Sequence, residues 1–203
     1  MGHYFINDPT LKSNKKIIKY TFLGKELSFN TDNGVLSKDR VDFGTNVLLN
    51  SLEKLDNIHK VLDVGCGVGI IGLSIASKYN HLTVDMVDVN EKAVSLTNEN
   101  IKLNKLTNCK SFISNVYENV NEQYGLIISN PPIRAGKEIV HKIASEAKEH
   151  LEKKGMFYAV VQKKQGADSF KKKLEEVYGN VEIVNKESGY MIFKSINTQK
   201  SQY

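Results

Sequence analysis

From residue 60 onward, short apolar runs alternate with longer stretches in which apolar residues recur three and four positions apart. Short apolar runs are typical of buried strands, and the longer periodic stretches are typical of helices that bury one face. A chain that alternates the two usually folds as a parallel sheet with helices on both faces. The pattern therefore predicts an α/β fold with a mostly parallel, seven-stranded sheet.

The expected strands of this sheet cover 60–64, 82–89, 109–114, 126–129, 156–162, 181–185 and 190–194. Helices are expected from Ile70, from Glu91, from the segment after Pro132 to about Lys154, and over 166–178. Only a few residues, including Gly189, separate the last two strands, so these should form an antiparallel hairpin.

Two further strand-like segments, 17–22 and 26–30, flank Gly24 ahead of this core and predict a small hairpin. A helix is expected over 41–55, where Val47, Leu48, Leu52 and Leu55 can be buried. Because 203 residues suit one hydrophobic core, we expect an N-terminal β-hairpin extension over 1–40 and one catalytic domain over 41–203.

Composition and charge narrow the class of protein. Apolar residues make up 40% and charged residues 25% of the chain, which is ordinary for a soluble globular protein. The net charge is +5; residues 1–40 hold seven Lys/Arg against four Asp/Glu, and residues 134–178 hold eleven against seven. These basic regions favour a polyanionic partner such as RNA, although a solvated, Lys-rich surface accounts for the same counts.

Neither cysteines nor histidines suggest a metal site or a disulfide. Cys66 and Cys109 are far apart, and the five histidines show no metal-ligand spacing. The amino terminus lacks a signal-peptide pattern, and no apolar run approaches the length of a membrane span. We therefore expect a cytoplasmic protein with reduced thiols, no bound metal and no membrane partner.

Three glycines separate the first strand of the sheet from the helix that follows it. Gly65, Gly67 and Gly69 allow a ligand to approach the main chain beside the positive end of that helix. Asp63 lies just ahead of them, and a carboxylate there suits a ligand with an ammonium group better than a pyrophosphate. S-adenosylmethionine is a nucleoside ligand that carries this cation.

The same loop also fits a dinucleotide fingerprint. Gly67, Gly69 and Gly72 satisfy G-x-G-x-x-G, and Asp88 lies at about the distance expected for an acid that binds a ribose. A nicotinamide-dependent oxidoreductase therefore stays open on the glycines alone. For Asp88 itself the structural alternative is a helix N-cap, since Glu91 follows as in a capping box.

The run VLDVGCGVGIIGLSIA resembles the cofactor loop of class I methyltransferases. That resemblance implies a Rossmann-like class I methyltransferase fold in which the first acid and the glycines hold the methionine end. It further implies that Asp88 holds the ribose and that Asn115 faces the adenine amino group. The cofactor-binding residues expected on this basis are Asp63, Gly65, Cys66, Gly67, Gly69, Asp88, Val89, Asn115, Asn130 and Thr45.

The tetrapeptide Asn130-Pro131-Pro132-Ile133 follows the fourth strand and resembles the [DN]-PP-[YF] loop of amino-group methyltransferases. An exocyclic amine is a poor nucleophile, and it improves when acceptors pull its hydrogens out of the plane of the base. The Asn130 side-chain oxygen and the Pro131 carbonyl are expected to be these acceptors, held in place by the prolines. Ile133 departs from the pattern, which has an aromatic residue there to stack on the base.

Basic residues near this loop are candidates for contact with substrate. Arg134 and Lys137 follow the tetrapeptide and are expected either to contact phosphates or to form the surface of a helix start. The segment GVLSKDRVDFGTNVLL, residues 34–49, resembles the entry to the catalytic domain of the methyltransferase small domain family. This resemblance implies that Lys38, Asp42, Gly44 and Thr45 border the cofactor pocket and that Phe43 is a core residue. Lys38 is also expected to contact substrate, together with Arg134 and Lys137.

Well-known members of that family methylate guanine N2 in small-subunit ribosomal RNA, and the resemblance implies the same reaction here, most specifically on 16S rRNA. Adenine N6 and a protein glutamine N5 are the alternative acceptors, because both share the chemistry of the Asn-Pro-Pro loop. Outside this class, a nicotinamide-dependent oxidoreductase and a non-catalytic RNA-binding module remain open. The expected cofactor is S-adenosyl-L-methionine, and the expected partner is ribosomal RNA or the small ribosomal subunit.

Overall fold

A computed structural model describes residues 12–35 and 39–198 of the chain. Its strands are β1 (Lys16–Phe22), β2 (Lys25–Thr31), β3 (Lys60–Val64), β4 (Thr83–Asp88), β5 (Cys109–Ile113), β6 (Tyr124–Ser129), β7 (Leu151–Gln162), β8 (Glu182–Glu187) and β9 (Tyr190–Ile196). Its α-helices are α1 (Phe43–Asn50), α2 (Ile70–Lys78), α3 (Glu91–Leu103), α4 (Lys137–Glu146) and α5 (Ala167–Tyr178).

Within these described ranges, seven strands form one sheet in the order β5-β4-β3-β6-β7-β9-β8. The five strands β3 to β7 are parallel, and β9 runs antiparallel to both β7 and β8. The predicted mostly parallel sheet with a C-terminal antiparallel hairpin is confirmed. The chain winds outward in one direction from β3 and in the other from β6. Ligands of open α/β sheets bind beyond the carboxyl ends of the strands at such a reversal.

The described residues bury apolar side chains in two clusters, one on each face of the sheet. Strand β3 shows why, because Val61 packs into one cluster while Leu62 and Val64 pack into the other, as the period of a strand requires. Helices α2 and α3 cover the first face, and α4 and α5 cover the second. With both faces covered, the ends of the strands are the place left for a binding site.

The predicted N-terminal hairpin is formed by β1 and β2, which pair antiparallel. Phe29 of β2 is fully buried in the first cluster. Two amides of α3 then pair with the outer edge of β2: Asn100 accepts from Asn30 N (2.7 Å) and donates to Asn30 O (3.1 Å). Asn104 binds Ser28 N (3.0 Å) and Ser28 O (2.8 Å) in the same way. These side chains satisfy a strand edge that would otherwise lack partners.

Two predicted helices end earlier than expected. The helix expected over 41–55 ends at Asn50, where Ser51 caps it by donating from its backbone N to Leu48 O. Leu55 is nevertheless fully buried, because the loop after α1 carries it into the core. The helix expected to about residue 154 ends at Glu146, and after a short 3₁₀ turn β7 already begins at Leu151.

Gly155 lies inside β7 beside the register shift with β6. A Cβ there would come within 2.9 Å of the carbonyl oxygens of Glu152 and Tyr124, so the irregularity needs a glycine. No helix in the described ranges is both long and apolar enough to cross a membrane.

Candidate active site

A cavity of about 410 Å³ opens at the carboxyl ends of the central strands, where the sheet reverses its winding. Residues from the ends of β3 and β4, from the loops after β5 and β6, and from α4 form its wall. They are Val64, Gly65, Val87, Asp88, Val89, Ser114, Asn115, Val116, Asn130, Pro132, Ala135, Ile139 and Ile143.

Asp88 lines this cavity at the end of β4 and is held by the main chain. Its Oδ2 accepts from Gly67 N and its Oδ1 from Asn90 N, both at 2.9 Å. The N-cap of α3 is Asn90, whose side chain accepts from Lys92 N and Ala93 N. The alternative of Asp88 as the helix cap is therefore wrong. Its carboxylate is instead oriented at the cavity wall, and each oxygen can accept more than one hydrogen bond.

The glycine loop keeps side chains away from this wall. Gly65, Gly67 and Gly69 have φ of +73°, +57° and +88°, a region that favours glycine. A Cβ on Gly69 would lie 2.6 Å from Leu73 Cδ1 and 2.9 Å from Thr97 Cγ2. Gly65 itself lines the cavity, while the other two shape the loop behind it.

Asp63 and Cys66, both expected to bind cofactor, lie behind the cavity wall. Asp63 is fully buried; its Oδ2 accepts from Gly72 N at 3.0 Å, and its Oδ1 has no partner among the described residues. Burial and the charge of Asp88 raise the pKa of Asp63 to about 7. Burial likewise raises the pKa of the Cys66 thiol, whose Sγ lies 3.9 Å from Thr97 Oγ1. Contact of either side chain with a cofactor stays a prediction.

The far side of the cavity is apolar with a polar rim. Val89 and Val116 line it from the sheet, and Ile139 lines it from α4. Asn115 lies at the rim, and its Nδ2 donates to Glu118 Oε1 at 2.6 Å. The amide oxygen of Asn115 is thus the atom oriented away from that bond. An apolar slot with one acceptor suits a planar, amine-bearing ring such as adenine.

Asn130 follows β6 and is held by the segment that begins α1. Its Nδ2 donates to Asp42 Oδ2 at 3.0 Å and to Thr45 Oγ1 at 2.9 Å. A carboxylate can only accept, so the Asn130 atom beside Asp42 is the nitrogen. Asp42 Oδ2 also accepts from Thr45 N at 3.2 Å, as the N-cap of α1. Because both amide hydrogens are directed to the protein, Oδ1 is the atom left to accept a hydrogen from a substrate.

The rest of the Asn-Pro-Pro loop divides between core and surface. Pro131 is buried and Pro132 lines the cavity, whereas Ile133 begins a 3₁₀ turn and packs against the second apolar cluster. Arg134 and Lys137 are exposed beside this turn. Lys38, also expected to contact substrate, lies outside the described residues.

The structure thus brings together around one cavity Gly65, Asp88, Val89, Asn115, Asn130 and Pro132. Thr45, expected to bind cofactor, bonds to Asn130 and is not part of the cavity lining, so its contact with a cofactor stays a prediction. Phe43 was expected to be a core residue, and this expectation is wrong, because 42% of the residue is exposed. Sequence reasoning missed the apolar lining from Val116 and α4. No local motif marks those residues, which reach the cavity only through the tertiary fold.

Known proteins that are similar to this chain provide evidence that is independent of the geometry of the site. The family model "Methyltransferase small domain" matches residues 26–194. The chain belongs to the methyltransferase small domain family. It is 45% identical over 195 residues to the uncharacterized protein YbxB of Bacillus subtilis (strain 168), covering 95% of this chain and 97% of that protein.

Other relatives carry a more specific name. Ribosomal RNA small subunit methyltransferase C of Vibrio vulnificus is 31% identical over 177 residues, covering 84% of this chain and 49% of the relative. The 16S rRNA N2 methyltransferase of T. thermophilus, solved in complex with AdoMet and guanosine, superposes with a TM-score of 0.81 at 23% identity and covers 93% of this chain. This chain spans about half the length of both.

These comparisons confirm the expected class I methyltransferase fold and family, and S-adenosylmethionine is the cofactor of that class. The cavity fits this group. Its Asp88 carboxylate suits a vicinal diol, its apolar slot suits a purine, and the bare Gly65 backbone admits close approach. Among the residues that the structure describes, no group of three or more His, Cys, Asp or Glu is arranged to hold a metal ion.

Proposed function

We propose that this chain transfers a methyl group from S-adenosylmethionine to the N2 amine of a guanine in 16S ribosomal RNA. The observation that supports this proposal most directly is the position of the Asn130 amide, which Asp42 and Thr45 orient at the edge of the cavity. An acceptor fixed in this way suits an exocyclic amine, whose nitrogen must be drawn out of conjugation before it can attack.

The residues of the chain divide the work of this reaction. When bound, S-adenosylmethionine would supply an electrophilic methyl group for attack by the amine nitrogen; S-adenosylhomocysteine would leave, and the proton lost from the methylated nitrogen would pass to solvent. Asn130 Oδ1 accepts one amine hydrogen and turns the nitrogen lone pair toward the methyl group. Pro132, on the same wall, limits the movement of the loop, so that the acceptor stays in position. Positioning and a fixed dipole lower the barrier, and no strong base is required.

The choice of acceptor draws on the relatives. Adenine N6 and protein glutamine N5 would use the same Asn130 geometry, so the site chemistry favours none of the three. The names of the matched relatives specify small-subunit ribosomal RNA, and the superposed T. thermophilus enzyme was solved with guanosine. The relatives' names favour RNA over a protein glutamine, and the guanosine of the superposed structure favours guanine over adenine.

A basic surface beside the catalytic loop supports an RNA substrate. Arg134 is exposed in the 3₁₀ turn, and Lys137 follows at the start of α4. An open groove of about 610 Å³ is lined by Lys137, Lys142 and Lys173, with Glu138 also in its lining. We propose that Arg134 and Lys137 contact phosphates and so present the base to Asn130. Lys38 belongs to the same proposal through the family resemblance.

Deletion of the gene tests this function in the cell. Small-subunit RNA from the deletion strain should lack N2-methylguanosine at one position, and restoring the wild-type gene should return it. A gene copy with Asn130→Ala should not restore it. An unchanged set of N2-methylguanosines in the deletion strain would contradict guanine as the acceptor, and loss of a methyladenosine instead would support the adenine alternative.

A further inference from the structure

An exposed aromatic residue directly follows Asp42, one of the two residues that hold the Asn130 amide. Phe43 is 42% exposed although it is large and apolar, and its ring centroid lies 5.6 Å from that of Tyr190 at an interplanar angle of 54°. Gly44 permits this contact, because a Cβ there would lie 2.8 Å from Tyr190 Cε1. We call Phe43 and Tyr190 the aromatic ledge. Within this ledge, Tyr190 at the start of β9 packs against Phe43, and Phe43 is partly exposed to solvent.

The aromatic ledge is connected to the Asn-Pro-Pro loop by the residues that neighbour Phe43 in the sequence. Asp42 immediately precedes Phe43, Thr45 follows two positions later, and both bind the Asn130 amide. Tyr190 pairs with Gln162 at the carboxyl end of β7, the strand next to β6. Strands β6 and β7 are parallel, so their carboxyl ends share the edge of the sheet from which Asn130 emerges.

The catalytic loop offers no aromatic side chain of its own. Ile133 stands where amino-group methyltransferases have an aromatic residue, and it packs against the second apolar cluster. An acceptor base at Asn130 therefore needs a stacking surface from another element. Phe43 is a large apolar side chain left exposed next to the two residues that orient Asn130, and a flat ring is the surface on which a nucleobase stacks.

We propose that Phe43 is the stacking surface for the acceptor base, supported from behind by Tyr190, and that it replaces the aromatic residue missing from the Asn-Pro-Pro loop. This inference rests on the proposed function, because it requires a nucleobase as acceptor. It assigns Phe43 to substrate binding and not to the cofactor. Loss of the ring should therefore affect the RNA substrate and leave S-adenosylmethionine binding unchanged.

Steady-state kinetics with small ribosomal subunits provide the first test. Phe43→Ala should raise KM for the subunits about tenfold or more, Phe43→Tyr should restore it, and the cofactor Kd should stay within twofold. Leu103→Ala is the matched control, since Leu103 is 43% exposed at the end of α3 and should leave KM unchanged. An unchanged KM in Phe43→Ala, with wild-type protein still forming N2-methylguanosine, would overturn the ledge and leave the proposed function standing.

Fluorescence provides a readout that does not depend on turnover. The chain has no tryptophan, so Phe43→Trp introduces a single reporter at the ledge. Addition of a guanosine-containing RNA oligonucleotide in the presence of S-adenosylhomocysteine should quench its emission, whereas Leu103→Trp should respond little. Equal responses of the two reporters would overturn the proposal. In a methyl-transfer assay with labelled S-adenosylmethionine, label found only in protein would overturn the proposed function and the aromatic ledge together.

Discussion

Asn130 Nδ2 lies 3.0 Å from Asp42 Oδ2, in a contact between residues 88 positions apart in the chain. Through this contact, the N-cap residue of α1 orients the side-chain amide of the Asn-Pro-Pro loop. It also connects the segment around α1, which the family resemblance assigned to the border of the cofactor pocket, to the amide that we propose to be catalytic.

Thr45 tests this orientation with a closely matched pair of variants. Thr45→Val keeps the shape of the side chain but removes the Oγ1 acceptor for Asn130, so kcat should fall about tenfold while the cofactor Kd stays unchanged. Thr45→Ser retains a hydroxyl and should stay near wild type. Single-turnover methyl transfer and calorimetric titration measure the two quantities. A raised cofactor Kd with normal kcat in Thr45→Val would instead make Thr45 a cofactor contact.

Asp88 should act mainly through the cofactor. Asp88→Ala removes the carboxylate at the cavity wall, and we expect the Kd for S-adenosylhomocysteine to rise about 10- to 100-fold. Asp88→Asn keeps one acceptor oxygen and should show a smaller loss. Thermal unfolding of both variants controls for the support that Asp88 gives to Gly67 N and Asn90 N. A Kd within twofold of wild type in a folded Asp88→Ala protein would contradict the assignment.

Asp63 makes stability depend on pH. Its pKa is raised from 3.8 to about 7 by burial and by the charge of Asp88. Between about pH 4 and 7 the folded state keeps a proton that the unfolded state has released, so this group lowers the free energy of unfolding as pH rises through that window.

Asp63→Asn has no such proton to lose. The difference in Tm between the variant and wild type should shift in favour of the variant by at least about 2 °C between pH 5 and pH 8. Scanning calorimetry of both proteins at each pH cancels the contribution of other groups. A Tm difference that is constant over this range would show that Asp63 titrates at an ordinary pKa.

Lys137 should contribute to RNA affinity through charge alone. Lys137→Ala is expected to weaken binding to small-subunit RNA and to reduce the slope of log K against log salt by about 0.7 to 0.9, the effect of one lost phosphate contact. Lys54→Ala, at an exposed position between α1 and β3, is the control. If both variants show the wild-type slope, Lys137 does not contact a phosphate.

Local pattern predicted the sheet well because most strands of the parallel core contain a short apolar run, as β6 does. The pattern failed where a residue is buried without lying in a helix, and where an apolar residue lies in a helix without being buried. Leu55 looked like part of a helix face, yet it is buried from a loop. The family resemblance implied that Phe43 is a core residue, but as the first residue of α1 it remains partly exposed.

The candidate site was predictable where one segment carries the geometry, as in the glycine loop, and less so where two segments meet. Asp88 and Asn130 reach the cavity because each follows directly from a strand end. The bonds from Asn130 to Asp42 and Thr45 join distant parts of the chain, and no spacing in the sequence encodes them. The burial of Asp63 and its bond from Gly72 N are likewise properties of packing that the motif does not encode.

Methyl transfer in vitro tests the central claim most directly. Wild-type and Asn130→Ala proteins would be incubated with labelled S-adenosylmethionine and small ribosomal subunits from cells that lack the gene, and the labelled nucleosides identified by mass spectrometry. We expect labelled N2-methylguanosine with wild type, and transfer at least about 100-fold slower with Asn130→Ala at unchanged cofactor affinity. Undiminished transfer by Asn130→Ala would contradict the account.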